Sequence, residues 1–180
     1  MTKNPEKIIT IFGSGYTTRE EKLWEEVRQV GEVLAKNGYT VCSGGYGGTM
    51  EAVSNGAKSG GGNTIGITIE TINLQPNDYI DENVVMPNWV ERLMELIAIG
   101  DAYVIFKGGS GTLVEISALL EMMNKKLMKE KLIIFHGDFW KQVIGTLKLD
   151  TERLTGIIER NVRVVREPQE IINILNSLSF

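Results

Sequence analysis

The chain has one cysteine, Cys42, and one histidine, His136, among 180 residues. A lone cysteine excludes an internal disulfide framework and agrees with a reducing compartment, so a cytoplasmic protein is expected. A lone histidine, with no Cys/His/carboxylate set at ligand spacing, leaves a metal centre without support. A Ser-His-Asp hydrolase would have to use His136 as its base. That residue follows Ile133-Ile134-Phe135 at a strand end and is read instead as a hydrogen-bonded structural histidine. No lysine is marked by a local pattern for pyridoxal phosphate, and no cofactor is expected. An excess of basic residues is also lacking. Lys and Arg number 19 against 23 Asp and Glu, for a net charge of −4. This argues against nucleic acid as the main partner, and against an accessory DNA-processing role. No apolar run reaches membrane length, and no signal or lipidation pattern is visible.

Glycine, in contrast, is plentiful. Its 20 residues gather at the ends of apolar runs and do not spread as low complexity. The length suits one domain, residues 1–180. Apolar runs alternate with amphipathic segments along the chain. Strands are predicted at Lys7 to Phe12, Tyr39 to Cys42, Thr64 to Thr68, Val84-Val85, Ala102 to Phe106, Lys131 to Phe135 and Val162 to Val165. Helices are predicted at Glu20 to Lys36, Gly48 to Lys58, Pro87 to Ile99, Ser110 to Leu127, Asp138 to Leu147 and Pro168 to Leu178. This alternation implies an α/β fold: a three-layer, Rossmann-like open parallel sheet with helices on both faces. Its ligand crevice should lie outside the carboxyl ends of the strands.

Three glycine turns fall at such ends. Gly13-Ser14-Gly15 follows the first strand, Ser43-Gly44-Gly45-Tyr46-Gly47-Gly48-Thr49 the second, and Lys107-Gly108-Gly109-Ser110-Gly111-Thr112-Leu113-Val114-Glu115 the fifth. Glycines that open a helix expose backbone N–H groups, which favour an anion. The first turn is not a dinucleotide fingerprint, because Thr18 occupies the place of the last glycine. No glycine precedes Lys-Ser or Lys-Thr as a P-loop requires. Taken alone, the first turn also suits a plain strand-to-helix connection. Three further site candidates have structural alternatives. Thr112-Leu113-Val114-Glu115 fits a capping box, in which Glu115 would reach back to a backbone N–H. Arg92 would pair with Glu95 across one helical turn. Trp89 would be core or interface.

The segment Gly108 to Glu115 resembles the P-G-G-x-G-T-x-x-E signature of the Lonely Guy (LOG) family, nucleoside 5′-monophosphate phosphoribohydrolases formerly mislabelled lysine decarboxylases. Arg92 stands fifteen residues before Lys107, the spacing that family shows between its essential arginine and the motif proline. The resemblance runs to about Phe135. It implies that Gly13, Ser14, Gly44, Gly45, Gly47, Gly48, Gly108, Gly109, Ser110, Gly111 and Thr112 hold a nucleoside 5′-monophosphate or similar phosphorylated small molecule. Glu115 would act as the catalytic carboxylate, Arg92 would hold substrate and Glu115, and Trp89 would stack on a ring. It also implies a homodimer or higher assembly. The Pro87 to Ile99 helix, with Trp89, Leu93, Met94, Leu96 and Ile97, and the Ser110 to Leu127 helix are the interface candidates. The chain departs from the LOG pattern at Lys107, which replaces proline, at Leu93, which replaces lysine, and at Trp89, which replaces methionine. The Ser43 to Glu51 stretch is similar to a neighbouring branch of molybdenum-cofactor carrier and nucleotide-binding proteins. A non-catalytic carrier or sensor is therefore the alternative to an N-glycosidic hydrolase.

Overall fold

A computed structural model describes residues 7–177. Seven parallel strands form one sheet in the order β4-β3-β2-β1-β5-β6-β7. They are β1 (Ile8–Phe12), β2 (Thr40–Ser43), β3 (Thr64–Ile69), β4 (Glu82–Met86), β5 (Ala102–Ile105), β6 (Leu132–His136) and β7 (Val162–Val165). The helices are α1 (Lys22–Lys36), α2 (Thr49–Ser59), α3 (Trp89–Ile99), α4 (Ser110–Asn124), α5 (Lys141–Leu147), α6 (Glu152–Asn161) and α7 (Pro168–Ser177). The expected α/β architecture is therefore present. The central strands are apolar on both faces because helices cover both, as parallel sheets require. One core packs β1, β2 and β5 against α1, α2 and α7. The other packs the opposite face against α3, α4, α5 and α6.

Chain order reverses between β1, which pairs with β2 on one side, and β5 on the other. At that switch α1 and α4 leave on opposite faces. The crevice between them opens at the carboxyl ends of β1 and β5. Trp140 Nε1 donates to Phe106 O at 2.9 Å and fastens the β6–α5 connection to the end of β5.

Several predicted bounds shift. The Pro87 helix begins two residues later, because the Asn88 side chain caps it by accepting from Glu91 N. The helix from Ser110 ends at Asn124, and Lys126 beyond it has φ 59°. The helix predicted from Asp138 begins at Lys141. The predicted end of α7, Leu178, lies outside the described residues. Helix α6 is absent from the sequence prediction. Its signal was present: Thr151 caps it, and Leu154, Ile157 and Ile158 recur at helical spacing on one buried face.

Helices α1 and α2 meet backbone to backbone. A Cβ on Gly31 would overlap Val53 O, and one on Gly56 would overlap Arg28 O. Gly56→Ala should therefore destabilise the protein by about 1–3 kcal/mol in chemical denaturation, through overpacking. Helix propensity alone predicts the opposite sign, by about 1 kcal/mol. A stabilised variant would show that the helix pair separates freely.

Candidate functional site

The three glycine turns meet, and Ser14 joins them. Ser14 N donates to Lys107 O at 3.1 Å, and Ser14 O accepts from Thr49 N at 2.8 Å. One residue after β1 thus binds both the end of β5 and the first amide of α2. This crowding excludes side chains. A Cβ on Gly13 would lie 2.6 Å from Thr49 Cγ2, and one on Gly48 would lie 2.5 Å from Ser14 O. Gly48 also has φ 67°, a left-handed backbone that glycine adopts without strain. Beneath Gly108 lies the hydroxyl of Thr112, which a Cβ there would overlap.

The second glycine cluster is held from the other side by Arg92. Its Nε donates to Ile67 O at 2.6 Å and its Nη2 to Gly44 O at 2.9 Å. A Cβ on Gly44 would overlap Nη2. The guanidinium carbon lies 5.6 Å from the Tyr46 ring centroid, and Tyr46 Oη accepts from Ile69 N at 2.9 Å. Asn77, in the 70–81 loop, donates from its backbone to Gly45 O at 2.8 Å and from Nδ2 to Tyr46 O at 2.8 Å. Sequence reasoning passed over Asn77 and Tyr46 as supports. Pro76-Asn77-Asp78 has the composition of a turn, but its docking site, Gly45 and Tyr46, lies 32 and 31 residues away in the chain.

The glycines therefore differ in kind. Gly13, Gly44, Gly48 and Gly108 are demanded by neighbouring protein atoms. Gly45, with φ 78°, is demanded by its turn. Gly47 is exposed, and a Cβ on it would meet only Gly15 O, at 3.9 Å. A Cβ on Gly109 or Gly111 would meet nothing within 4 Å. Gly109 caps α4 with extended backbone, and Gly109, Ser110 and Gly111 are all exposed. The first turn of α4 thus presents backbone N–H groups to an open approach, whereas the first amide of α2 is already used by Ser14 O. The α4 N-terminus is the better anion cradle of the two.

Two expectations are corrected here. First, the T-x-x-E segment is not a capping box. Helix α4 begins at Ser110 behind Gly109, no side chain caps it, and Thr112 lies inside the first turn, nearly fully buried. Second, Arg92 is not hydrogen-bonded or ion-paired to Glu95 or Glu115 among the described residues; its bonds go to two backbone carbonyls and, at 3.9 Å, to Met50 Sδ. Its Nη1 makes no hydrogen bond among those residues, so part of its fork remains open. Burial pushes the Glu115 carboxyl up to about 8, opposed by the nearby Arg92 charge. Burial likewise lowers the Arg92 pKa, and the Glu115 charge opposes that shift.

Trp89 opens α3, is 48% exposed, and makes no ring contact among the described residues. His136 is buried, as a structural histidine would be; its ring is hydrogen-bonded at the Arg166 backbone and its Nδ1 lies 4.0 Å from Glu26, while Nε2 has no partner among the described residues. Cys42 is fully buried in β2, and burial pushes its thiol up to about 12. Among the described residues, no three His, Cys, Asp or Glu side chains gather to hold a metal ion.

A seven-stranded parallel sheet covered by helices on both faces, with glycine turns converging at its switch point, defines a Rossmann-like α/β fold. The chain belongs to the SLOG cluster4 family, whose model matches residues 6–172. It is 33% identical over 113 residues to an uncharacterised protein of Archaeoglobus fulgidus, covering 63% of this chain and 73% of that one. It is 28% identical over 135 residues to the pyrimidine/purine nucleotide 5′-monophosphate nucleosidase of Escherichia coli, covering 70% of this chain but only 29% of that enzyme's length. In structure it is similar to the molybdenum cofactor binding protein of Rippkaea orientalis, with TM-score 0.76, 23% identity and 96% of each chain covered. That level of identity shows a shared fold.

The raised Glu115 pKa has a stability consequence whose sign is definite. Its ordinary value of 4.5 applies to the unfolded chain, and about 8 to the folded one. The contribution of the neutral carboxyl is fully present below the lower value and is lost as pH rises through the upper one. Glu115→Gln is neutral throughout. The melting temperature of the variant relative to wild type should therefore rise from about pH 5 to about pH 8. A difference that is the same at both ends would contradict the raised pKa.

Proposed function

We propose that the protein is a nucleoside 5′-monophosphate phosphoribohydrolase, releasing free base and ribose 5-phosphate. The observation that carries this is the open α4 N-terminus followed, one turn further along the same helix, by Glu115, a half-buried carboxyl near the Arg92 charge whose pKa burial raises to about 8. The 5′-phosphate binds the N–H groups of Gly109 to Thr112, where the helix end favours negative charge. Arg92, anchored through Nε and Nη2, offers Nη1 to the ribose or phosphate. Cleavage of the C1′–N bond sends its electron pair to the base and develops positive charge on the ribose, as in glycoside hydrolysis. Glu115 donates its proton to the departing base, and the carboxylate it leaves faces the growing charge. Water then adds to C1′ and gives its proton to the Glu115 carboxylate, which restores the carboxyl. A carboxyl raised to about 8 suits an acid at neutral pH. The nucleosidase relative supports the same chemistry, through the part of its length that this chain spans.

A binding-only role, as carrier or sensor of a phosphorylated cofactor, is favoured by one observation. Arg92 is already engaged by Ile67 and Gly44 and so has a structural duty that needs no turnover. The phosphate end of such a cofactor suits the same cradle. The fold likeness to a molybdenum cofactor binding protein agrees with this alternative.

We also propose a homodimer built on α3 and α4. Val90 (59%), Met94 (42%) and Val114 (39%) are exposed apolar residues on those helices. Leu96 and Ile97, counted as interface candidates from the sequence, face the protein's own core instead, and Leu93 is partly buried against it.

Incubation with a panel of nucleoside 5′-monophosphates should release free base. Glu115→Gln should reduce turnover by about 10²–10⁴-fold with affinity unchanged, and the wild-type rate should fall as pH rises through about 8. Arg92→Ala should impair both binding and turnover. Thermal stabilisation by a nucleotide without base release would favour the carrier role. For assembly, sedimentation should show a dimer at micromolar concentration that Val90→Glu with Met94→Glu converts to monomer. A wild-type monomer would remove the dimer.

A further inference from the structure

A depression of about 400 Å³ lies beside the cradle, walled by Lys22, Leu23 and Glu26 of α1 and by the residues that follow three neighbouring strands. Lys107 follows β5, His136 to Phe139 close β6, and Arg166 and Glu167 follow β7. Its wall on the α1 side belongs to the helical layer opposite α3 and Glu115. Lys107, in its wall, directly precedes the Gly108-Gly109 turn that opens α4.

The charges of the depression are unequally committed. Lys22 pairs with Glu26 at 3.1 Å, and Arg166 pairs with Asp138 at 2.6 Å. Asp138 also holds Lys141 at 2.8 Å. The Glu167 carboxylate lines the same space. Lys107 has no carboxylate partner among the described residues; its ammonium lies 5.6 Å from the centroid of Phe139, which is itself 52% exposed. In the wall, the buried His136 has an unpartnered Nε2, while Nδ1 lies 4.0 Å from Glu26. Lys107 stands three residues before Ser110, so their Cα atoms are at most about 11 Å apart. A lysine that reaches the next phosphate beyond a backbone cradle is a recurring division of labour in phosphate-binding loops.

We propose that this depression is a second anion subsite continuous with the α4 cradle, and that the ligand class includes phosphate chains longer than one, such as a nucleoside 5′-diphosphate. Lys107 is its principal cation. The proposal rests on α4 being the phosphate cradle. It extends the monophosphate assignment at the end of the ligand remote from Glu115.

Inorganic phosphate and pyrophosphate test it without committing to a base. Calorimetric titration of the full chain, free of divalent cations, should give pyrophosphate about tenfold or more tighter binding than phosphate, as an added charge-assisted contact would. Lys107→Met should remove that advantage and leave phosphate affinity within about twofold. Asp138→Asn releases Arg166 and Lys141 and should tighten pyrophosphate binding, a gain that misfolding does not mimic. Equal affinities for the two anions, or an advantage that survives Lys107→Met, would overturn the subsite while leaving the cradle in place. Binding of neither anion would overturn both.

Discussion

The peptide groups of Ser14 hold the site together. Its N–H is bound to the end of β5 and its C=O to the start of α2. One of these bonds reaches across 93 residues of chain and the other across 35. The approach is close enough that Gly13 and Gly48 must lack a Cβ, and a loop between strands becomes a rigid floor. Both helix starts are aimed by that floor. Only α4 keeps its first amides open, since the first amide of α2 is already satisfied by Ser14.

Arg92 performs the corresponding task at the other edge. A guanidinium that is partly withdrawn from water must place its donors, and here two carbonyls take them. The 70–81 loop closes the arrangement through Asn77. Glu115 lies within reach of the Arg92 charge without being hydrogen-bonded to it, and burial therefore dominates its protonation. Had the two formed a close pair, the carboxyl would sit well below its ordinary range and would have no proton to give. The separation decides which chemistry the carboxyl can offer.

Much of the fold was legible in the sequence. Six of the seven helices and all seven strands followed from apolar runs, their period and the glycines that end them. The exception, α6, was lost in a polar stretch even though Leu154, Ile157 and Ile158 have helical spacing. The glycine turns were equally legible, but the reason for each glycine was not. Gly44 yields to Arg92, forty-eight residues away, and Gly31 to a neighbouring helix. Gly109 and Gly111 meet no protein atom at all. Sequence spacing treats these cases alike.

The sequence by itself determined the doubly covered parallel sheet and the three turns at strand ends, and local pattern suffices for these, because strand and helix periods are properties of neighbouring residues. The candidacy of Glu115 and Arg92 came from the resemblance to the LOG family. Tertiary structure decided what those residues do. It kept the helix start at Ser110 with Gly109 as its cap, which leaves Thr112 inside the helix with no capping role. It turned Arg92 toward carbonyls and raised the Glu115 pKa through burial. It also gathered Lys107, His136 and Arg166 around one depression. Each outcome depends on burial and on distances between segments remote in sequence, which set the local dielectric and the hydrogen-bond partners.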